Sequence, residues 1–424
     1  MASVVDIADR LWRGESTVGE VHPVSARNLG DIEEIRDGVA FVPSFANVSA
    51  FATGDGLVLV DTGSQVLARV VHEQIRRWNT TRLDTAVYSH GHIDHVFGVP
   101  VFEEEAVANG WHAPRVVAHE ALPARFDRYV LTAGYNGVIN RRQFGLGAGF
   151  EWPTAYRYPD ETYRDRLDVE VGGVRFELHH ARGETDDHTW TWVPERRVLC
   201  SGDLFIWASP NAGNPQKVQR YPAEWAVALR QMVELRAEVL LPGHGFPVIG
   251  EDRVAQALGD TAELLESLQE QTLALMNEGA SLNDILHTVR APAHLMERPY
   301  LQPVYDEPEF VVRNIWRLYG GWYDGNPANL KPSPDAALAG ELADLCGGAV
   351  ALARRALDVS GEGDHRLASH LVELAWQAAP GDGEVREARA EVYRARVAVE
   401  TSTMAKGIFR WAVTEAEPST EPST

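Results

Sequence analysis

An α/β fold, with two β-sheets packed face to face between helical layers (an αββα sandwich) and an all-α region after it, is what this sequence predicts. Three observations carry that expectation. Two groups of short apolar strands occur, each followed by a helical run. A histidine-rich loop leaves the end of one strand. Near Gly250 the apolar pattern changes to a helical period that continues almost to the last residues.

Taken in order, residues 1–33 are mixed and polar and read as an N-terminal extension packed on the body. The first strand group comprises Val39–Val42, Val48–Ala52 and Gly56–Gly63, joined by Gly and Asn turns as a meander. Asp61-Thr62-Gly63 ends the third strand and opens a helix from about Gln65 to Trp78. Asp84–Tyr88 is a short buried strand, a helical run starts at Val99, and Arg115–Ala118 is the next strand. The second group has Leu167–Val171 and Val174–His179 around Gly172-Gly173, a hairpin signal, then Thr189–Val193 and Arg197–Cys200 around Pro194-Glu195-Arg196.

From Glu251 to Gly279, Val254, Leu258, Leu265, Leu268 and Leu275 fall on one helical face, and Ser281 with Asp284 marks the next N-cap. Helical pieces follow at Val311–Tyr319, Ala336–Val359, Leu367–Ala378 and Glu384–Val399. The division expected is thus an extension (1–33), a catalytic domain (34–250), a helical domain (251–412) and a disordered tail (413–424) carrying a duplicated Glu-Pro-Ser-Thr.

Composition narrows the function classes. A net charge of −22 argues against nucleic acid or an anionic membrane as the main partner. An anionic substrate must therefore be drawn in by a local positive site. Two cysteines, Cys200 and Cys346, are too few for a disulfide framework and suit a reducing compartment. With no basic, apolar leader pattern at Met1–Ile7, the location expected is the cytoplasm.

The chemistry centres on Tyr88–Gly98, where three imidazoles and a carboxylate fall at the spacing H-x-H-x-D-H. Imidazole is the commonest metal ligand, and an interleaved carboxylate adds a harder oxygen donor. His90 and His92 reach one metal, while Asp94 and His95 point to a neighbouring one. Three later strand ends supply further donors: His179–His188, Ser201-Gly202-Asp203 and Leu240–Gly245.

In wording and order these loops resemble the metallo-β-lactamase superfamily over about residues 35–250. The resemblance implies a dinuclear hydrolase. It assigns His90, His92 and Glu184 to a first metal and Asp94, His95 and His244 to a second. Asp203 bridges them, and Asp61 orients a ligand histidine from behind. Glu184 stands where the superfamily usually has histidine, and this is similar to the alkylsulfatase branch. Two further segments resemble that branch: Tyr135–Arg142, and Tyr319-Gly320-Gly321-Trp322-Tyr323-Asp324-Gly325-Asn326-Pro327, which looks like the alkylsulfatase dimerization domain. The sterol-carrier-like domain that continues family chains is not expected here, and Leu204–Arg220 departs from the usual alkylsulfatase text, so a long-chain substrate is not expected either.

This ligand set implies a hydroxide bridging two divalent ions and attacking a sulfate ester or similar small, anionic ester-like substrate. Zinc is the first candidate. Because three carboxylates and four imidazoles leave the pair at about +1, manganese or iron stand beside it. The resemblance and the residue types make Asp94, His188 and Tyr135 candidate catalytic residues, His188 being either a proton donor or a structural brace. Asn140, Arg141 and Arg142 are candidates to bind the anionic group, by forked hydrogen bonds from the arginines; structural ion pairing is their alternative. The rival enzyme reading is a hydrolase of carboxylic esters, lactones or amides, and the non-enzymatic one a metal-stabilised interaction protein. The helical domain is expected to form a homodimer, with Tyr319, Trp322 and Tyr323 at the interface.

Overall fold

The computed structural model describes residues 3–21 and 31–417. The chain divides into two compact units, Met1–Ala133 with Pro153–Trp322, and Gly134–Trp152 with Tyr323–Thr424.

The first unit begins with helix α1 (Val4–Trp12), whose Ser3 hydroxyl accepts from the Val5 and Asp6 amides as an N-cap. Its apolar face (Val4, Ala8, Leu11) joins the main core, so this part of the extension does pack on the body. Seven strands follow in one sheet, in chain order: β1 (Glu33–Arg36), β2 (Val39–Val42), β3 (Val48–Ala52), β4 (Leu57–Val60), β5 (Leu83–Val87), β6 (Arg115–His119) and β7 (Glu161–Tyr163). The first four pair antiparallel, as short turns allow. From β4 onward the pairing is parallel, with α2 (Ala68–Trp78) and α3 (Val99–Asn109) making the first two crossovers and a longer helical connection the third, from β6 to β7. Every residue of β2 and β4 is buried, as expected for strands covered on both faces.

After α4 (Leu122–Leu131) and α5 (Ala133–Phe144), a second sheet holds β8 (Arg166–Val171), β9 (Val174–His180), β10 (Thr189–Val193), β11 (Val198–Ile206), β12 (Val239–His244) and β13 (Val248–Ile249). The two sheets meet face to face. Phe51 of β3 and Phe176 of β9 pack edge to face, with ring centroids 5.3 Å apart. Helix α6 (Pro222–Glu234) carries the parallel crossover from β11 to β12 and buries Trp225 against this core. The αββα sandwich expected from two β-then-α groups is the architecture found.

The first unit extends past residue 250. Helix α7 (Glu251–Asn277) buries Val254, Leu258, Leu265 and Leu268, the face read from its periodicity. Helices α8 (Leu282–Thr288), α9 (Ala293–Met296) and α10 (Pro308–Gly320) add Ile285, Leu295, Val311 and Ile315 to the same core. Compactness follows this shared apolar burial rather than the change of pattern at Gly250.

The second unit has its own core, built from α11 (Asp335–Leu345), α12 (Ala349–Gly361), α13 (His365–Ala378), α14 (Gly383–Val399) and α15 (Thr403–Ala416). The run read as one piece over 336–359 is two helices, because Gly347 and Gly348 both take positive φ. Helix α15 reaches Ala416, so residues 413–416 of the expected tail are helical, and 418–424 lie outside the described residues. No single helix among the described residues is long and apolar enough to cross a membrane.

Trp225 is fully buried, and its indole N–H donates to Leu204 O at 2.7 Å. Trp225→Ala is expected to cost about 3–5 kcal/mol in urea denaturation. Val227→Ala, on the exposed side of the same helix, is expected to change stability by less than about 0.5 kcal/mol.

Candidate metal centre

Four strand ends in the first unit converge on one point. The loop after β5 carries His90, His92, Asp94 and His95, and the loop between β9 and β10 carries Glu184. Asp203 lies on β11, and His244 ends β12.

The Asp61-Thr62-Gly63 turn after β4 holds the first loop. Asp61 adopts a left-handed φ of 60°, a strained setting for a residue with a Cβ. In it, Oδ1 accepts from the Ser89 amide at 2.7 Å and Oδ2 from the Ser89 hydroxyl at 2.8 Å. The same Oδ2 lies 2.8 Å from His95 Nδ1, and the Ser89 hydroxyl lies 2.9 Å from His90 Nδ1. One carboxylate thus fixes both rings by their Nδ1 edges and leaves each Nε2 turned to the centre. The Thr62 amide and hydroxyl donate to His95 O at 2.8 and 3.0 Å. Gly98 closes the loop, and a Cβ there would run into the Thr62 carbonyl.

Two groups of donors result. His90, His92, Glu184 and Asp203 each place a ligand atom within 4.8 Å of the others, and Asp94, His95 and His244 do the same. Asp203 faces both: Oδ2 is 3.9 Å from His90 Nε2 and 3.3 Å from His244 Nε2, and Oδ1 is 3.6 Å from His95 Nε2. Gly243 lets it approach, since a Cβ there would collide with Asp203 Oδ1. All seven residues named by the sequence are therefore brought together.

These residues fit divalent metal ions. His95 Nε2, Glu184 Oε2 and Asp203 Oδ1 are buried without a hydrogen-bond partner. Each such atom costs about 1–3 kcal/mol, and a cation in each donor group would offset these costs. Nitrogen and carboxylate oxygen donors in this mixture suit zinc-like or manganese-like ions.

The protonation tendencies follow the geometry. Burial holds His90 and His92 well below the usual imidazole value. Burial also opposes charge on His95, but Asp203, Asp61 and Asp94 overcome it and push that ring well up. Burial raises Glu184 well above the carboxylate range. It opposes ionisation of Asp203 too, yet His244 and His95 hold that carboxyl far below.

His188 differs from the donor role considered for it. Its Nε2 accepts from the Asp203 amide at 3.0 Å, and its ring stacks on His90 with centroids 4.9 Å apart. Burial pushes it down to about 4. A neutral ring accepting at Nε2 has no proton there to give, so His188 braces Asp203 and His90.

Tyr135, Asn140, Arg141 and Arg142 lie on the stretch of α5 that belongs to the second unit. Tyr135 is exposed. Asn140 Nδ2 donates to Asn136 O at 2.8 Å, and Arg141 donates to Phe150 O at 3.0 Å and Ala148 O at 3.3 Å. The Arg142 guanidinium lies over the Trp411 ring. Arg141 thus serves loop carbonyls, and Arg142 meets an indole face.

Several supporting residues escaped the sequence reading. Buried Arg125 pairs with Asp187 (Nε to Oδ1, 2.7 Å), and Asp187 Oδ2 accepts from the Gly91 amide at 2.9 Å, anchoring the histidine loop from its other side. Asn47 Nδ2 donates to Pro242 O and Gly245 O, both at 3.0 Å, and fixes the loop bearing His244. Arg220 and Asn211 hold Glu184. Asp187 carried one signal, its place in the Asp-Asp-His run next to His188. The others stand alone in sequence.

Asp203→Ala is expected to reduce bound metal, measured by elemental analysis, from about two ions per chain to one or none. Asp61→Asn, which keeps the shape but weakens the hold on His95 and Ser89, is expected to lower metal affinity by about 10–100-fold in calorimetry.

Two family profiles match the chain: "Metallo-beta-lactamase superfamily" over residues 42–244 and "Alkyl sulfatase dimerisation" over 281–418. Among curated proteins, a linear primary-alkylsulfatase from Pseudomonas is 30% identical over 366 residues, covering 80% of this chain and 68% of that one. An (R)-specific secondary-alkylsulfatase from Pseudomonas is 26% identical over 403 residues, 87% of this chain and 60% of that one. An alkyl/aryl-sulfatase from Saccharomyces cerevisiae is 26% identical over 81% of this chain and 56% of that one. The chain thus spans between about half and two thirds of these relatives' lengths. Among solved structures, a stereoselective inverting sec-alkylsulfatase from Pseudomonas superposes with a TM-score of 0.82 at 24% identity, over 92% of this chain and 66% of that one. That likeness supports the two-part fold.

Proposed function

We propose, from the premise that this chain belongs to the alkylsulfatase family of metallo-beta-lactamase-fold hydrolases, that it is a dinuclear metal-dependent hydrolase of small sulfate esters. The observation that carries the reading is the convergence of buried, unpartnered His95 Nε2, Glu184 Oε2 and Asp203 Oδ1 at four strand ends. In this reading His90, His92 and Glu184 hold one ion, Asp94, His95 and His244 the other, and Asp203 both. Zinc is the first choice for that donor set, with manganese or iron the alternatives. Two such ions would bring the pKa of a shared water down to about 7 and so supply a nucleophile at neutral pH.

The chain's own residues do the rest. Asp61 and His188 keep the ligands in register. Lys217 supplies the local positive site that an acidic protein needs for an anionic substrate. Burial pushes its amine down to about 8, Arg220 adds to that, and the charges of Asp94 and Glu184 oppose it. An ammonium feeling both carboxylates in this way is suited to hold a sulfate oxygen on the metal side of the substrate. Arg141, Arg142, Asn140 and Tyr135 stay as candidates for substrate contact only through the second unit.

By role the chain divides into a catalytic region over 34–250 and a dimerisation-type region over 251–412, a reading supported by profiles matching 42–244 and 281–418; helices α7 to α10 of the latter share the catalytic unit's core. A homodimer is supported by the dimerisation profile and by exposed Trp322 and Tyr319. Two cysteines without a disulfide, Cys200 and Cys346, support a reducing, cytoplasmic setting.

The test is release of inorganic sulfate from short primary and secondary alkyl sulfates by metal-loaded protein. Release is expected, with loss on chelation and in Asp203→Ala. Lys217→Met is expected to raise KM for the sulfate ester while sparing a neutral ester. In the parent protein KM should climb as rising pH takes the proton from this ammonium, whose pKa burial lowers. Turnover of lactones or carboxylic esters without sulfate release would overturn the sulfatase reading in favour of the carbonyl hydrolase. Absence of bound metal would overturn both.

A further inference from the structure

A carboxylate in place of an imidazole at the first metal should add negative charge and a second donor oxygen. Either change would favour a harder, higher-coordinate ion over zinc. The surroundings of Glu184 work against both. Its Oε1 is taken: Asn211 Nδ2 donates to it, and Arg220 Nη1 lies 3.3 Å away. Arg220 Nη1 donates to the Glu184 carbonyl as well. Its Oε2 has no hydrogen bond and lies 3.5 Å from His90 Nε2 and 3.6 Å from His92 Nδ1. One oxygen faces protein and the other faces the centre.

Arg220 is itself 1% exposed, so its charge is not screened by solvent as a surface cation would be. It is positioned through its main chain by α10. Asn314, 3% exposed, donates from Nδ2 to Arg220 O at 3.0 Å and accepts the Arg220 amide at Oδ1, 3.4 Å away. Gln219 Nε2 and Arg317 Nη2 also donate to Asn314 Oδ1, at 3.1 and 3.0 Å. Helix α10 thus reaches a metal ligand through two links, Asn314 to Arg220 and Arg220 to Glu184.

We propose that Arg220, held by Asn314, turns Glu184 into a one-oxygen, charge-compensated ligand, so that the Glu184–Arg220 pair presents the first metal with nearly the charge and denticity of a neutral histidine. The first site therefore prefers zinc over manganese despite its carboxylate. This rests on the reading of Glu184 as a metal ligand, and it makes Arg220 and Asn314 positioning residues, acting only through Glu184.

The test is competitive binding of zinc and manganese, followed by calorimetry and by the paramagnetic signal of bound manganese, with no turnover required. In Arg220→Met, Glu184 gains a free oxygen and an uncompensated charge, and the preference for zinc is expected to fall by about tenfold or more. Arg220→Lys keeps the charge but not the guanidinium that reaches both the Glu184 carboxylate and its carbonyl, and it is expected to fall between. It carries the test if the methionine variant does not fold. Asn314→Ala should shift the preference the same way by a smaller factor. In a Glu184→His background, Arg220→Lys should leave the preference unchanged, because the carboxylate it acts through is gone. An unchanged zinc-to-manganese ratio in Arg220→Met and Arg220→Lys would overturn the proposal, as would an equal shift in the Glu184→His background. Separately, Glu184→Ala retaining two tightly bound ions would show that Glu184 is no ligand, which is failure of the underlying reading and not of the compensation itself.

Discussion

Burying ionisable donors that leave some of their polar atoms without protein partners is the constraint on which the first unit depends. Seven imidazoles and carboxylates point at one place, and three of their atoms make no hydrogen bond. Such an arrangement is unfavourable for the protein alone. It persists because the donor loops are held from behind: His90 and His95 through Ser89 and Asp61, the histidine loop at Gly91 by Asp187, Glu184 by Arg220 and Asn211, and the His244 loop by Asn47. Asp61 carries its strained φ at the same place, with one carboxylate on both an amide and a ligand ring.

The sandwich explains why this support is available. Of the four strand ends that carry ligands, one lies in the first sheet and three in the second, and the Asp61 turn after β4 braces the first from its own sheet. The rigid element is the sheet, and its parallel segments place loops of different sequence origin at the same edge. Helices α6 and α7 then cover the second sheet with Trp225, Leu258 and Leu265, which fixes β11 and β12 and hence Asp203 and His244. Helix α10 does more than fill the core, for Asn314 ties it to the polypeptide around Arg220.

Charge is arranged in layers. The chain as a whole carries −22, and an ionised substrate would find little attraction at long range. Near the centre three cations gather, Arg125, Arg220 and Lys217 all being felt by His92. Two of these cations are committed to carboxylates that hold ligands, Arg125 to Asp187 and Arg220 to Glu184. Lys217 has the amine that carboxylates in both donor groups act on. The sequence offered Arg141 and Arg142 for this role because residues 135–142 resemble an arginine-containing segment of the alkylsulfatase branch. Their guanidinium groups meet loop carbonyls and Trp411 within the second unit.

By itself the sequence determined the strand groups of the sandwich and the histidine loop, because these are written in local pattern, and its resemblance to a known superfamily supplied Glu184, Asp203, His244 and the role of Asp61. Strand alternation, a helical period over 251–279 and the H-x-H-x-D-H spacing are short-range signals that survive without knowledge of the fold. It also determined that position 184 holds a carboxylate. Only the tertiary structure decided what that carboxylate can do, since Asn211, Arg220 and Asn314 reach it from 27 to 130 residues away in the chain. The same holds for His188, for which the sequence left a donor or a bracing role open and whose neighbours in space make it an acceptor for the Asp203 amide. Where helices α7 to α10 belong was likewise a matter of shared core and not of composition. Ligand identity is local chemistry, whereas charge compensation, protonation and domain membership are set by what long-range packing puts beside each residue.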